Sequence, residues 1–356
     1  MAVTLYVDAA RWRRHLSQTI TASPGLIPVI KGCGYGFGLD LLVAEASRLH
    51  GSHGVGTVAV GTYCEAPVAL GVFPGDVLVM EPYRPSIHGS LAHLSHPSLV
   101  HTVTYGADVA DLVGRVGRPR VVVEGLSSMN RHGVPAPYLG ETLASLGDAE
   151  LVAVGLHLPL GTGHLEEIRR WVDLVDGLAD GSEQSGTPVD RWQVSHVTPA
   201  ELASLSAAYP RRSFEARVGT ELWLGDPGAL VVRAHVLDVR PVARGDHAGY
   251  RQRRLAAGHL LVVSGGTSHG VALEAPRAVD SVRGRVIVLA ESALEAAGRV
   301  RSPFTVSGRN AWFVEPPHMQ VSLLSLPDGV TPPAVGVEVE VRVRLTILRA
   351  DAVTLR

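Results

Sequence analysis

Of the 32 lysines and arginines in this 356-residue sequence, one is a lysine. Lys31 lies in the segment Ile30-Lys31-Gly32-Cys33-Gly34-Tyr35-Gly36-Phe37-Gly38. Arginine replaces lysine in most surface roles, but its guanidinium stays protonated and delocalised and does not condense with a carbonyl. A primary amine able to shed its proton is what carbonyl chemistry, including that of pyridoxal phosphate (PLP), requires. The glycines at 32, 34, 36 and 38 lack Cβ atoms and let a bulky ligand lie against the backbone. Tyr35 carries a hydroxyl suited to a phosphate. Asp40 and the apolar run after it mark a helix start.

The surrounding pattern must hold that amine in place. Short β-branched runs alternate with helical patterns. The runs are Leu26–Lys31, Thr57–Gly61, Asp76–Met80, Val100–Thr104, Arg120–Glu124, Leu151–His157, Trp192–Val197 and Glu215–Val218. Between them Leu39–Leu49, Glu166–Leu178 and Glu201–Ala208 carry apolar residues at helical spacing. Eight such strands predict a (β/α)8 barrel of TIM type, with Lys31 at the C-terminal end of its first strand, where barrel enzymes place their active sites. After Ala229 the rhythm turns to strand-like alternation: Leu230–Val239, Leu260–Ser264, Arg285–Leu289, Met319–Leu326 and Val337–Leu348, with one helical stretch at Glu291–Val300. The Asp226-Pro227-Gly228 turn marks the boundary. The expectation is a barrel domain over residues 1–229, including an N-terminal helix at Asp8–Leu16, and a mostly-β domain over 230–356.

Composition excludes several function classes. A formal net charge of -2, with no basic stripe, offers no electrostatic case for nucleic acid. Cys33 and Cys64 form neither a disulfide framework nor a metal spacing, so no metal is expected. The start has no basic region followed by an apolar run, and no apolar stretch reaches the length of a membrane span. The expected compartment is the cytoplasm.

The lysine segment resembles the PLP-attachment motif of the alanine racemase family, fold type III PLP enzymes, in the lysine, the tyrosine four residues on and the Gly-x-Gly before a helix. The order of a barrel then a β domain also matches. The resemblance implies that Lys31 holds PLP as an internal aldimine and that Tyr35 touches its phosphate. Arg217-Val218-Gly219-Thr220-Glu221-Leu222 looks like the family's Arg-x-Gly-x-x-Leu, implying that Arg217 donates to the pyridine nitrogen and that backbone at Gly219 and Thr220 binds phosphate. An arginine there keeps the ring nitrogen unprotonated and the cofactor a weaker electron sink. Thr198 stands near a family serine that binds phosphate, although Thr198-Pro199-Ala200-Glu201 also reads as a capping box. Ser128-Met129-Asn130-Arg131-His132-Gly133 resembles Gly-Met-Gly-Arg-Leu-Gly, implying that Arg131 meets the cofactor oxygen and the substrate carboxylate. Glu124 replaces a lysine that is often carbamylated, and is expected to pair with Arg131. Ala248-Gly249-Tyr250 resembles the segment that carries the family's second base. Lys31 and Tyr250 would then face opposite sides of one carbanion, a two-base racemase or epimerase. Met319-Gln320 looks like the Met-Asp pair, with Met319 helping to seat the substrate carboxylate. The resemblance further implies a head-to-tail homodimer in which Tyr250 comes from the partner.

Departures from the family bear on the substrate. Pro159 stands where the family tunes its tyrosine with a histidine. His157, two positions back on the same strand face, is a possible substitute. Gly266 replaces a β-domain tyrosine, and no tyrosine follows Tyr250. The implied substrate is therefore an amino acid that need not be alanine. Two alternatives stay open: another PLP reaction on this fold, such as lyase or decarboxylase chemistry, and a PLP-binding homologue with a binding or regulatory role.

Overall fold

The computed structural model describes residues 3–161, 163–180, 189–273 and 300–356. Contacts divide the chain into two compact units. One comprises Arg13–Gly34 and Leu39–Gly225; the other comprises Met1–Trp12, Tyr35–Gly38 and Asp226–Arg356. The chain opens with strand β1 (Val3–Val7), which sequence periodicity did not reveal.

The larger unit is a closed barrel of parallel strands in chain order: β2 (Ile27–Ile30), β3 (Thr57–Val60), β4 (Asp76–Pro82), β5 (Leu99–Val103), β6 (Arg120–Gly125), β7 (Glu150–Leu156), β8 (Arg191–Ser195) and β9 (Ser213–Val218). Each lies within two residues of its expected span. Closure occurs between β2 and β9, with Ile27 beside Arg217 and Pro28 beside Val218. Near-continuous Val, Ile, Leu and Ala runs suit strands buried on both faces. Ile27, Val29, Ala59, Leu78, Val100, Val122 and Ala153 form one packed cluster. The helices Leu39–His53, Leu165–Asp180 and Pro199–Ala208 stand where helical spacing placed them.

The second unit is antiparallel apart from one pair. Its strands are β10 (Leu230–Val242), β11 (His247–Ala248), β12 (Arg253–Arg254), β13 (Gly258–Ser264), β14 (Val300–Val306), β15 (Arg309–Phe313), β16 (Val321–Pro327), β17 (Glu338–Val341) and β18 (Ala352–Leu355). The main sheet runs β13-β16-β15-β14-β17-β10-β1-β18, and β10 also pairs with β13, so six of the strands return on themselves. The long β10 manages both pairings through an irregularity between Val236 and Asp238. The small hairpin of β11 and β12 stands apart as its own sheet.

Two expectations are corrected here. Residues 1–229 do not form one unit: β1 pairs antiparallel with β10 and parallel with β18, and its Val3, Leu5 and Val7 are buried. The predicted strand Val337–Leu348 is realised only as β17. Beyond it the backbone turns, with Ile347 N–H donating to Arg344 C=O at 3.0 Å and Leu348 N–H to Leu345 C=O at 3.3 Å. The predicted strand Arg285–Leu289 lies outside the described residues. So does the predicted helix Glu291–Val300, apart from Val300, which opens β14. Among the described residues no helix is long and apolar enough to cross a membrane.

Candidate active site

Lys31 is the first residue past β2, so its amine stands at the C-terminal end of the barrel. Its backbone is clamped by Glu65. One carboxylate oxygen accepts Gly32 N–H at 2.7 Å, and the other accepts Gly61 N–H at 2.7 Å and Thr62 N–H at 3.1 Å. The loop beyond needs its glycines for the backbone itself: Gly32, Gly34, Gly36 and Gly38 all have φ between +61° and +91°. Desolvation first, then the Arg131 charge, lowers the Lys31 pKa below the usual lysine value; Glu65 opposes this and Arg217 adds to it. A larger share of free amine at neutral pH follows, and free amine is the form that attacks a carbonyl or takes a proton.

The expected Glu124–Arg131 pair is replaced by another. Glu124, near the end of β6, forms a two-pronged bond with Arg217 of β9, with both N···O distances 2.9 Å. Their side chains are 2% and 3% exposed. Both residues sit on barrel strands and meet in the interior, whereas Arg131 lies on an exposed loop and makes no salt bridge among the described residues. Gly155 on β7 makes the room, because a Cβ there would lie 2.2 Å from Glu124 Oε2. With both terminal nitrogens of Arg217 engaged, its Nε–H remains buried and without a hydrogen-bond partner.

His157 follows β7. Ser195 of β8 accepts Leu158 N–H at 3.0 Å and meets His157 Nδ1 at 3.1 Å. A serine hydroxyl that accepts from the backbone is free to donate to Nδ1, which leaves the proton of the neutral imidazole on Nε2. Desolvation, then Arg217 and Arg131, with smaller contributions from His196 and Lys31, lowers the His157 pKa to about 3. Its ring meets that of His196 edge-on, with centroids 5.2 Å apart. His157 is thus an uncharged hydrogen-bonding group.

Among the residues expected at the phosphate, Thr198 is committed elsewhere. Its hydroxyl accepts Glu201 N–H at 3.2 Å and donates to Glu201 Oε2 at 2.9 Å, a complete capping box. Gly219 caps the short helix Thr220–Leu224. Tyr35 is buried at φ 54° within the Gly34–Gly36 turn and groups by contacts with the β unit.

Tyr250 and Met319 also belong to the β unit. Tyr250 rides the tip of the β11–β12 hairpin and is 86% exposed. Its ring lies 4.4 Å from that of His318. The Met319 carbonyl accepts both the backbone N–H and the hydroxyl of Ser268. A Cβ at Gly266 would lie 2.1 Å from the His318 carbonyl, so this position excludes the family's tyrosine on steric grounds. The expected residues therefore assemble as two groups. Lys31, Glu124, Arg131, His157 and Arg217 line the barrel end, and Tyr35, Tyr250 and Met319 stand in the β unit. Sequence reasoning missed Glu65, Ser195, Glu315 and His318.

The barrel group suits PLP by one observation above others: Arg217 Nε–H is a buried donor with nothing to bond, held by a carboxylate that aligns the guanidinium. One unspent N–H matches one ring-nitrogen lone pair. Lys31 offers the amine and Arg131 an exposed cation.

No family model matches the chain, and no curated protein matches it. Solved structures do match. The alanine racemase of Clostridium difficile 630 shares 14% identity and a TM-score of 0.66, over 96% of this chain and 87% of that one. The alanine racemase from Bartonella henselae with covalently bound pyridoxal phosphate shares 15% identity and a TM-score of 0.66, over 96% and 90%. The histidine racemase from Leuconostoc mesenteroides subsp. sake NBRC 102480 shares 14% identity and a TM-score of 0.61, over 95% and 87%. The chain has the fold of these racemases, a parallel closed barrel with a separate β domain.

Proposed function

We propose that this chain is a divergent member of the alanine racemase family that binds PLP at Lys31 and racemises or epimerises an amino acid. The observation that carries the reading is the buried, unspent Nε–H of Arg217 at the same barrel end as a lone lysine of lowered pKa. Lys31 would hold PLP through its ε-amine, Arg217 would meet the ring nitrogen, Arg131 the ring oxygen and the substrate carboxylate, and the backbone at Gly219 and Thr220 the phosphate. When bound, PLP supplies the electron sink that acidifies the substrate Cα–H.

The chain's own groups then divide the proton work. Lys31 takes or returns a proton at Cα on one face, helped by its depressed pKa. Arg131 orients the carboxylate, and the Glu124 carboxylate keeps Arg217 from giving up its proton, so the ring nitrogen would stay unprotonated and the weaker electron sink would favour reprotonation over further carbanion chemistry. Tyr250 serves the other face from a second copy of the chain in a homodimer. His157, uncharged in this range, provides a hydrogen bond and no competing charge. The closed position at Gly266 and Pro159 in place of the family's histidine favour a substrate other than alanine. Thr198 is left out of the phosphate site because its hydroxyl is spent on its helix.

Incubation with the D and L forms of the common amino acids in D2O, alanine and histidine first, tests the reading. Deuterium at Cα together with formation of the opposite enantiomer supports it. A panel with no exchange by the PLP-loaded protein sinks it.

A further inference from the structure

Tyr250 is 86% exposed at the tip of a hairpin whose strands are two residues each, a setting that ordinarily lets an aromatic side chain wander. The hairpin is nevertheless anchored. Glu315, 5% exposed, accepts Tyr250 N–H at 2.9 Å through one oxygen and Arg251 N–H at 3.1 Å through the other. His318 Nε2 lies 2.6 Å from the same carboxylate. The His318 ring then lies 4.4 Å from the Tyr250 ring, tilted by 36°. Gly249 has φ +78°, and a Cβ there would sit 2.2 Å from the Glu315 carboxylate, so the turn is shaped around this group. Burial raises the Glu315 pKa, but bonds from His318, Arg251 and Tyr250 outweigh it and bring the carboxyl below the ordinary glutamate range. Behind this, Thr267 N–H donates to His318 C=O at 2.9 Å and Gly265 N–H to Gln320 C=O at 2.8 Å, which fixes the segment that carries His318.

We infer that Glu315, with His318, is the positioning pair for Tyr250: the carboxylate fixes the backbone on which the phenol is mounted and the imidazole fixes the plane of its ring. The inference rests on the reading of Tyr250 as the second base. It deepens that reading by naming what holds the base ready outside the barrel. Two backbone donors and one imidazole on a single buried carboxylate are worth more as orientation than as fold stability, because the group they steady is a side chain exposed to solvent.

The test uses full-length, PLP-loaded protein and the variants Tyr250→Phe, Glu315→Ala, Glu315→Gln and His318→Phe. Cα exchange in D2O is followed separately for the two enantiomers of whichever amino acid the screen identifies. A two-base site exchanges one enantiomer through Lys31 and the other through Tyr250. Glu315→Ala should reduce exchange of the Tyr250-dependent enantiomer at least tenfold while sparing the other, as Tyr250→Phe does, with Glu315→Gln between it and wild type. Amide hydrogen exchange at Tyr250 and Arg251 should speed up in Glu315→Ala even without substrate. His318→Phe, which keeps an aromatic platform, should retain more activity than Glu315→Ala. An even loss across both enantiomers, or unchanged amide exchange, overturns the inference while leaving the racemase reading intact. An unaffected Tyr250→Phe removes the second-base assignment itself, and the positioning role with it.

Discussion

Replacing Glu124 by glutamine keeps the side chain's shape and removes its charge. Arg217 would then be a guanidinium at 3% exposure with no counter-charge on its two terminal nitrogens. Breaking a buried pair by neutralising one member costs about 3–5 kcal/mol, because the surviving charge stays out of water. For a unit the size of the barrel, each kcal/mol lowers Tm by about 2–4 °C, which gives a drop of about 6–20 °C. Tryptophan fluorescence on heating reports it directly, since Trp192 and Trp223 are fully buried in this unit. The double variant Glu124→Leu/Arg217→Met carries the sharper expectation. An apolar replacement of a buried pair is often neutral, so the double variant should recover to within about 2 kcal/mol of wild type. The coupling energy in the cycle should then exceed about 2 kcal/mol. If Arg217 meets the ring nitrogen as proposed, the double variant should also lose affinity for PLP. If Glu124→Gln melts within 2 °C of wild type, or if the double variant merely sums the two single losses, the pair does not stabilise the barrel as argued.

Other expectations concern separate residues. Reductive methylation with 13C-formaldehyde should give a single ε-amine resonance, that of Lys31, titrating below the usual lysine value of 10.5; a midpoint at or above it refutes the effect of desolvation and Arg131. Borohydride reduction of the PLP-loaded protein should mark Lys31, and Lys31→Ala should abolish the visible absorption band of bound PLP. Thr198→Ala should cost about 1 kcal/mol through loss of its cap and leave PLP affinity unchanged in a spectrophotometric titration; a tenfold loss of affinity would return Thr198 to the phosphate site. His101, 1% exposed, has its pKa lowered to about 4 by burial. The unfolded chain holds the extra proton between that value and about 6.5. Stability should therefore fall as pH drops through this window, by up to about 1.4 kcal/mol per pH unit, and this contribution should level off below it. His101→Asn should flatten that slope, and NMR should find the imidazole neutral at pH 5.

The barrel was legible because its signal is local. Runs such as Val121-Val122-Val123 on β6 and Val77-Leu78-Val79 on β4 are buried on both faces, and a neighbourhood of five residues displays that without help from distant sequence. Lys31 was legible for the same reason, as a rare residue type at the end of one such run. Strand β1 was not, because Val3–Val7 is made a strand by partners at 230–234 and 352–355. Glu124 was found but matched to the wrong arginine. The resemblance, with Glu124 standing where the family has a carbamylated lysine, pointed to Arg131, whereas closure of the barrel brings Arg217 across the interior to it. Glu315 left one faint trace, the Glu-Pro-Pro-His run, in which two prolines stiffen the path between two groups that later bond. Its value becomes visible only once the Tyr250 hairpin is folded against it.

The place of β1 has a consequence for biosynthesis. Val3–Val7 leave the ribosome well before their antiparallel neighbour, Leu230–Val242, which emerges about 220 residues afterwards. At about 5–20 residues per second the interval is roughly 10–45 s. Throughout it an apolar strand lacks its antiparallel partner while an entire barrel is made behind it. A ribosome-bound fragment ending at Gly225 should therefore recruit a holdase chaperone through Val3–Val7, and release it once translation passes β10.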